Sequence, residues 1–170
     1  MHKGHEAIMK HLTEKEDFDR VLLIVSPQSP FKEANMTGPA RSAAAKEALA
    51  RHPEIKGVEV SDIELGMEPP HYTIRTLDAL RDLCPKDSIT LVIGADNLDS
   101  FPRWRDYKRI LKEYGIAVYP RKGYHRGHLR ARLLKEDPTY RIKLLKAPLV
   151  TISSTDIRSS AGKDMSKWLM

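Results

Sequence analysis

Apolar residues along the chain alternate between stripes that repeat every three or four positions and short unbroken runs, and each pattern predicts a different element. Ala7, Ile8, His11 and Leu12 fall at helical spacing, behind a glycine that permits a tight turn, and predict a helix over about residues 5–15. Val21-Leu-Leu-Ile-Val25 is an unbroken run stopped by Ser26-Pro27-Gln28-Ser29-Pro30, the pattern of a strand buried on both faces. The Ala-rich stretch 39–51 predicts a helix with Pro39 in its first turn, and Gly57-Val-Glu-Val60 a short strand. After an acidic, Pro-rich loop over 62–70, apolar residues at i, i+3 and i+6 predict an amphipathic helix over 72–83. Ile89-Thr-Leu-Val-Ile93-Gly94 then predicts another fully buried strand. Further on, helices are expected near 104–114 and 129–135, and strands at 116–119, 142–145 and 149–152. A last helix is expected to open at Ser154 or Thr155 as N-cap.

Strands alternating with helices imply an α/β fold: a doubly wound parallel sheet with right-handed crossovers, here one Rossmann-like domain over residues 1–170. Ligands of such sheets lie outside the carboxyl ends of the strands. The polar clusters fall there: 26–32 after one strand, Gly94-Ala-Asp96-Asn97 after another, Arg121-Lys-Gly123 after a third and Ile152-Ser-Ser-Thr-Asp-Ile-Arg158 after the last.

Composition narrows the class without naming it. With 41% hydrophobic and 31% charged residues in 170, the chain can bury a single core and is not a disordered tail. A net charge of +6 favours anionic partners, of which nucleotides rank above nucleic acid because the excess is spread along the chain with no recognised module. The single cysteine, Cys84, cannot make an internal disulfide, and no apolar run approaches the roughly 20 residues that span a bilayer. A cytoplasmic protein without a membrane partner is expected.

Two motifs carry chemistry. His2-Lys-Gly-His5 places two imidazoles three residues apart where a helix begins, with Gly4 allowing the backbone close to a phosphate. Two imidazoles there can donate to charge developing on phosphorus. Ser153, Ser154 and Thr155 offer hydroxyls at a strand-to-helix turn, and Arg158 follows one turn later to make charge-assisted phosphate contacts. Taken singly, each has a plainer reading: a chance pattern at a terminus, and an ordinary N-cap with a solvated arginine.

Together, in this order and with an alternating β/α pattern between them, the motifs resemble the nucleotidyltransferase superfamily of adenylyl- and cytidylyltransferases. Four further stretches are similar to the bacterial nicotinate mononucleotide adenylyltransferase family: Ser26-Pro-Gln-Ser-Pro-Phe-Lys32, His71-Tyr-Thr73-Ile-Arg-Thr76-Leu77, the stretch from Ile93-Gly-Ala-Asp96-Asn97 to Phe101-Pro-Arg-Trp104, and Tyr119-Pro-Arg121-Lys-Gly123-Tyr124. The resemblance implies transfer of AMP from ATP to nicotinate mononucleotide in NAD biosynthesis, giving nicotinate adenine dinucleotide and pyrophosphate. It assigns catalytic roles to His2, His5 and Arg158. It places Gly4, Lys32, Arg41, Gly94, Asp96, Arg121, Ser153, Ser154, Thr155 and Arg158 around ATP and its phosphates. Thr73, Trp104 and Arg105 fall on the nicotinate mononucleotide side, Trp104 by stacking, with Arg105 standing where relatives often carry Tyr. No metal-ligand set is visible, so Mg2+ is expected to arrive with ATP.

The duller readings stay beside these: Trp104 as a core aromatic, Asp96 as a helix cap, Lys32 and Arg41 as surface charge, and the basic cluster Lys122, His125, Arg126, His128, Arg130 and Arg132 as a solvated face. Relative to the family, the opening strand and most of the loop before the first His are absent and the closing helix is short, so a chain truncated at both ends is expected. Phosphopantetheine adenylyltransferase, and a nucleotide-binding module without turnover, are the alternatives. A homo-oligomer is compatible with everything above.

Overall fold

Strands and helices alternate from the first described residue to the last in the computed structural model, which describes residues 3–27 and 37–149. The chain divides into two units, one of residues 1–69 with 150–170 and one of 70–149. The expected last helix and most of the expected strand at 149–152 lie outside the described residues.

In the first unit, helix α1 (Lys3–Lys15) precedes strand β1 (Val21–Ile24), helix α2 (Gly38–Ala50) and strand β2 (Val58–Ser61). The strands pair in parallel from Val21 with Val58 to Ile24 with Ser61, as a crossover through α2 requires. α1 buries Met9 and Leu12 and leaves Ala7 exposed, so its inward face is set by its larger side chains rather than by the stripe that included Ala7. α2 starts where Thr37 accepts a hydrogen bond from the Ala40 N–H, with Pro39 in its first turn. Its buried residues, Ser42, Ala45 and Ala48 beyond the first turn, are small and let it lie close to the sheet. The loop expected over 62–70 contains a short 3-10 turn, Ile63–Gly66. Asp62 at its start accepts from Ser42 and pairs with Lys46, tying the loop to α2.

The second unit runs α3 (Thr73–Leu83), β3 (Leu91–Gly94), α4 (Ala95–Leu98), α5 (Tyr107–Arg109), β4 (Ile116–Tyr119), α6 (Arg126–Glu136) and β5 (Ile142–Leu144). All three strands are parallel in the order β3-β4-β5. β4, flanked on both sides, is buried at every residue. β1 and β3 are mostly half-buried rather than buried on both faces. Among the described residues each pairs with one neighbour, and an unbroken apolar run does not by itself reveal how completely a strand is covered.

The single helix expected over 104–114 starts three residues late and has two pieces, α5 and a π-turn. A 3-10 turn, Phe101–Arg103, ends at an extended Trp104, and Asp106 adopts left-handed angles (φ 51°, ψ 35°) before α5 begins. α5 then widens into a π-turn, Ile110–Tyr114, in which the Gly115 N–H bonds the Ile110 carbonyl at 2.7 Å. Ile110 and Leu111 are both completely buried and Tyr114 nearly so, and the wider turn brings all three into the core. Gly115, at φ 79°, closes the turn in a conformation that suits glycine, and a Cβ there would meet the Arg141 Cβ at 2.9 Å.

Candidate active site

The carboxyl ends of β3 and β4 carry the clearest polar cluster of the second unit. Gly94 ends β3 in register with Tyr119 at the end of β4, and α4 starts at once at Ala95. Asp96, in the first turn of α4, places a carboxylate oxygen 3.6 Å from Nε of Arg121, which follows β4 by two residues. A Cβ on Gly94 would overlap the Asp96 carboxylate and lie 3.3 Å from that Nε. Glycine at 94 therefore leaves room for an acid and a base to meet over the strand ends. Asp96 is not a helix cap, since Gly94 holds the N-cap position. Tyr119 is 1% exposed beneath this cluster, and burial pushes its hydroxyl above its ordinary pKa.

At another corner of the unit, Thr73 opens α3 directly after Tyr72 at the N-cap. Trp104 packs against Phe101, with ring centroids 5.0 Å apart, so the core-aromatic reading holds for one of its faces. Arg105 reaches back to α3: its guanidinium carbon sits 5.8 Å from the centre of the Tyr72 ring. The structure thus joins the segment carrying Trp104 and Arg105 to the residue preceding Thr73. Tyr72 was not singled out from the sequence. The signal for it was an aromatic one step outside the buried stripe of Ile74, Leu77 and Leu80.

In the first unit, Gly4 and His5 lie in the first turn of α1, where backbone N–H groups have no intrahelical acceptor; Gly4 is buried and His5 half-buried. Arg41, on the first turn of α2, donates to the Ser26 carbonyl just beyond β1, so it is anchored across a strand end instead of being loose surface charge. His2, Lys32, Ser153, Ser154, Thr155 and Arg158 lie outside the described residues.

The basic cluster of 122–132 is only partly a solvated face. Arg126 donates to the Val118 and Leu145 carbonyls and Arg130 to the Ile142 carbonyl at 3.0 Å, fastening α6 to β4, β5 and the residue after it. His125 and His128 are exposed, edge to face at 6.4 Å. Among the described residues, Glu6, His52 and Glu54 bring one potential ligand atom each within 4.8 Å of one another. Lys10 sits 2.8 Å from Glu6 and 3.2 Å from Glu54, so an ammonium already answers the charge a cation would, and the His52 hydrogen bond, a backbone bond and then Lys10 hold Glu54 down at about 2. A concavity of about 310 Å3 lined by Arg81, Lys86 and Glu113 among others lies at the amino ends of β3 and β4, away from the cluster above. No described helix is long and apolar enough to cross a membrane.

Known proteins similar to this chain give the family. Residues 1–160 match the cytidylyltransferase-like family. A protein of Cytophaga hutchinsonii named "Probable nicotinate-nucleotide adenylyltransferase" is 35% identical over 98% of this chain and 82% of its own length. A protein of Porphyromonas gingivalis with the same name is 35% identical over 99% and 83%. Among solved structures, nicotinic acid mononucleotide adenylyltransferase of Plasmodium falciparum complexed with NaAD superposes with a TM-score of 0.79 at 15% identity, over 99% of this chain and 84% of that one, and shares the fold. With its parallel α/β architecture, its polar strand ends and relatives of this identity over nearly its full length, the chain belongs to the cytidylyltransferase-like nucleotidyltransferases and, within them, to the nicotinate-nucleotide adenylyltransferase family.

Proposed function

We propose that this chain transfers AMP from ATP to nicotinate mononucleotide, releasing pyrophosphate and forming nicotinate adenine dinucleotide. An oxygen of the mononucleotide 5′-phosphate attacks the α-phosphorus of ATP, the bond from that phosphorus to the bridging oxygen of the β-phosphate breaks, and pyrophosphate carries away the electron pair. The attacking phosphate is largely a dianion near neutral pH, so no side chain has to remove a proton and the protein's work is positioning and charge stabilisation. Mg2+ enters as the ATP complex, keeping several of its waters.

The observation that carries this reading is the meeting of Asp96 and Arg121 over Gly94 at the strand ends, where sheets of this class take their ligands. Asp96 accepts from a hydroxyl or amine of the nucleotide and Arg121 neutralises phosphate. Gly4 and His5, together with His2, bind the ATP phosphates, and the two imidazoles donate to charge growing at the α-phosphorus. Lys32, Arg41, Ser153, Ser154, Thr155 and Arg158 complete the phosphate side. Thr73, Trp104 and Arg105 hold the acceptor, Trp104 stacking on the pyridine ring with the face that Phe101 leaves uncovered.

ATP labelled at the α-phosphate tests the chemistry. Label is expected in a dinucleotide formed in equal amount to pyrophosphate, with none on the protein at any time during turnover. Label trapped on a side chain would replace the direct displacement by a two-step route.

A further inference from the structure

Of the four residues 104–107, three have a packing or hydrogen-bond tie to Phe101, Ile110 or Glu136. Trp104 packs on Phe101; the Asp106 carbonyl accepts from the Ile110 N–H at 3.1 Å; the Tyr107 hydroxyl donates to Glu136 at 2.9 Å. The Arg105 side chain is 66% exposed. Its ionic contact among the described residues is a loose 3.6 Å from Nε to Asp106, which leaves the two terminal nitrogens for another partner. What restrains the guanidinium is Tyr72, itself 44% exposed, with its ring centre 5.8 Å away.

An exposed arginine with no such neighbour samples many rotamers, and a stacking ring narrows that set while leaving the outer edge of the guanidinium fork unspent. The backbone supports the same placement. Asp106 is the one non-glycine residue with positive φ among the described residues, and such a conformation persists where surrounding contacts hold it. It directly follows Arg105, whose guanidinium lies over the ring of Tyr72, the N-cap residue of α3.

We infer that Tyr72 is a positioning residue that holds the Arg105 guanidinium as the reader of a planar carboxylate on the acceptor, so that the Tyr72–Arg105 pair selects an acid over the corresponding amide. This rests on the acceptor assignment above and deepens it. A carboxylate offers two oxygens to the two parallel N–H groups of the fork. A carboxamide offers one oxygen and sets an NH2 against a donor, which removes one bond and leaves that N–H unanswered.

The test is the ratio of kcat/KM for nicotinate mononucleotide to that for nicotinamide mononucleotide, measured with the whole chain. Arg105→Met is expected to lower the ratio at least tenfold through KM for the acid, with KM for ATP within twofold of wild type. Tyr72→Leu is expected to lower it about three- to fivefold in the same way, the scale of an exposed cation–π contact. Tyr72→Phe, which keeps the ring and drops only the hydroxyl, restores the wild-type ratio. In the Arg105→Met background Tyr72→Leu adds nothing further. A thermal midpoint unchanged in the Tyr72 variants keeps a folding defect apart from a positioning one.

A ratio indifferent to Tyr72→Leu overturns the inference while leaving the adenylyl transfer intact. A Tyr72→Phe variant as impaired as Tyr72→Leu also overturns it, by making the hydroxyl the working group. Wild-type protein that turns over neither acceptor overturns the acceptor assignment, and this inference with it.

Discussion

Trp104 and Arg41, both proposed for the reaction, also have structural ties, and the two roles separate by which kinetic constant moves. Trp104 covers Phe101 with one face, so Trp104→Ala costs some packing whatever its role. If its free face stacks on the acceptor, KM for nicotinate mononucleotide rises about tenfold while KM for ATP stays put; equal losses for both make it a core residue only. His5 stands in the first turn of α1 on a half-buried site. His5→Ala is expected to lower kcat about 100- to 1000-fold, the scale of removing one donor from a developing anion, with the thermal midpoint unchanged. A kcat within twofold of wild type would remove His5 from the mechanism. The sequence named these residues but not what fixes them. Arg41 read equally well as loose surface charge until its bond to the Ser26 carbonyl was visible, and Arg126 and Arg130 looked solvated until they were found to fasten α6. Both arginines bond backbone carbonyls distant in sequence, and no side-chain pattern records such a partner.

Between α3 and the segment 107–114, one network of charges holds two elements together. Asp78 receives Arg109 at 2.9 Å and the Tyr114 hydroxyl, while Glu113 takes Arg109 at 2.7 Å and Arg81 at 2.9 Å. Hydrogen bonds from Arg109, with Arg81 assisting, hold the Glu113 carboxyl at about 2, below the roughly 4.3 of a free glutamate. Burial, and then the bond to Asp78, push the Tyr114 hydroxyl up to about 12, above its ordinary value of about 10. The two shifts act at opposite ends of the pH scale. A lowered carboxyl stabilises the fold above about pH 4.3, and that stabilisation is lost as pH falls toward 2. A raised phenol stabilises below about pH 10, and the gain is lost as pH climbs through 12. Arg109→Met is therefore expected to move the acid unfolding midpoint upward and leave the pH of alkaline unfolding nearly where it was, because Tyr114 keeps Asp78. Circular dichroism against pH measures both, and an unmoved acid midpoint would mean that this network does not hold the elements together. Apolar periodicity found α3 to within one residue, but read 104–114 as one helix. The break at Asp106 and the π-turn come from the core's demand for Ile110, Leu111 and Tyr114 at once, a tertiary requirement that local propensity does not carry.

Across the whole molecule, the alternation of strands and helices was enough to predict parallel sheets and polar strand ends, and both are present in the described residues. The degree of strand burial was not, because β1 and β3 read like fully buried strands and are mostly half-buried, each with one paired neighbour among the described residues. The net charge of +6 acts at this scale too, favouring a polyanionic substrate over a neutral one. KM for ATP is expected to rise several-fold between about 0.05 and 0.3 M salt, as screening shortens the reach of surface charge from more than 10 Å to well under it. A KM for ATP that ignores salt would confine recognition to the residues in contact. The acceptor is identified by pyrophosphate release from the 170-residue chain with Mg·ATP, in parallel with nicotinate mononucleotide, nicotinamide mononucleotide and phosphopantetheine. Release that is fastest with nicotinate mononucleotide and absent with phosphopantetheine is the predicted result. Release driven by phosphopantetheine, or ATP bound tightly with no pyrophosphate formed from any acceptor, would contradict it.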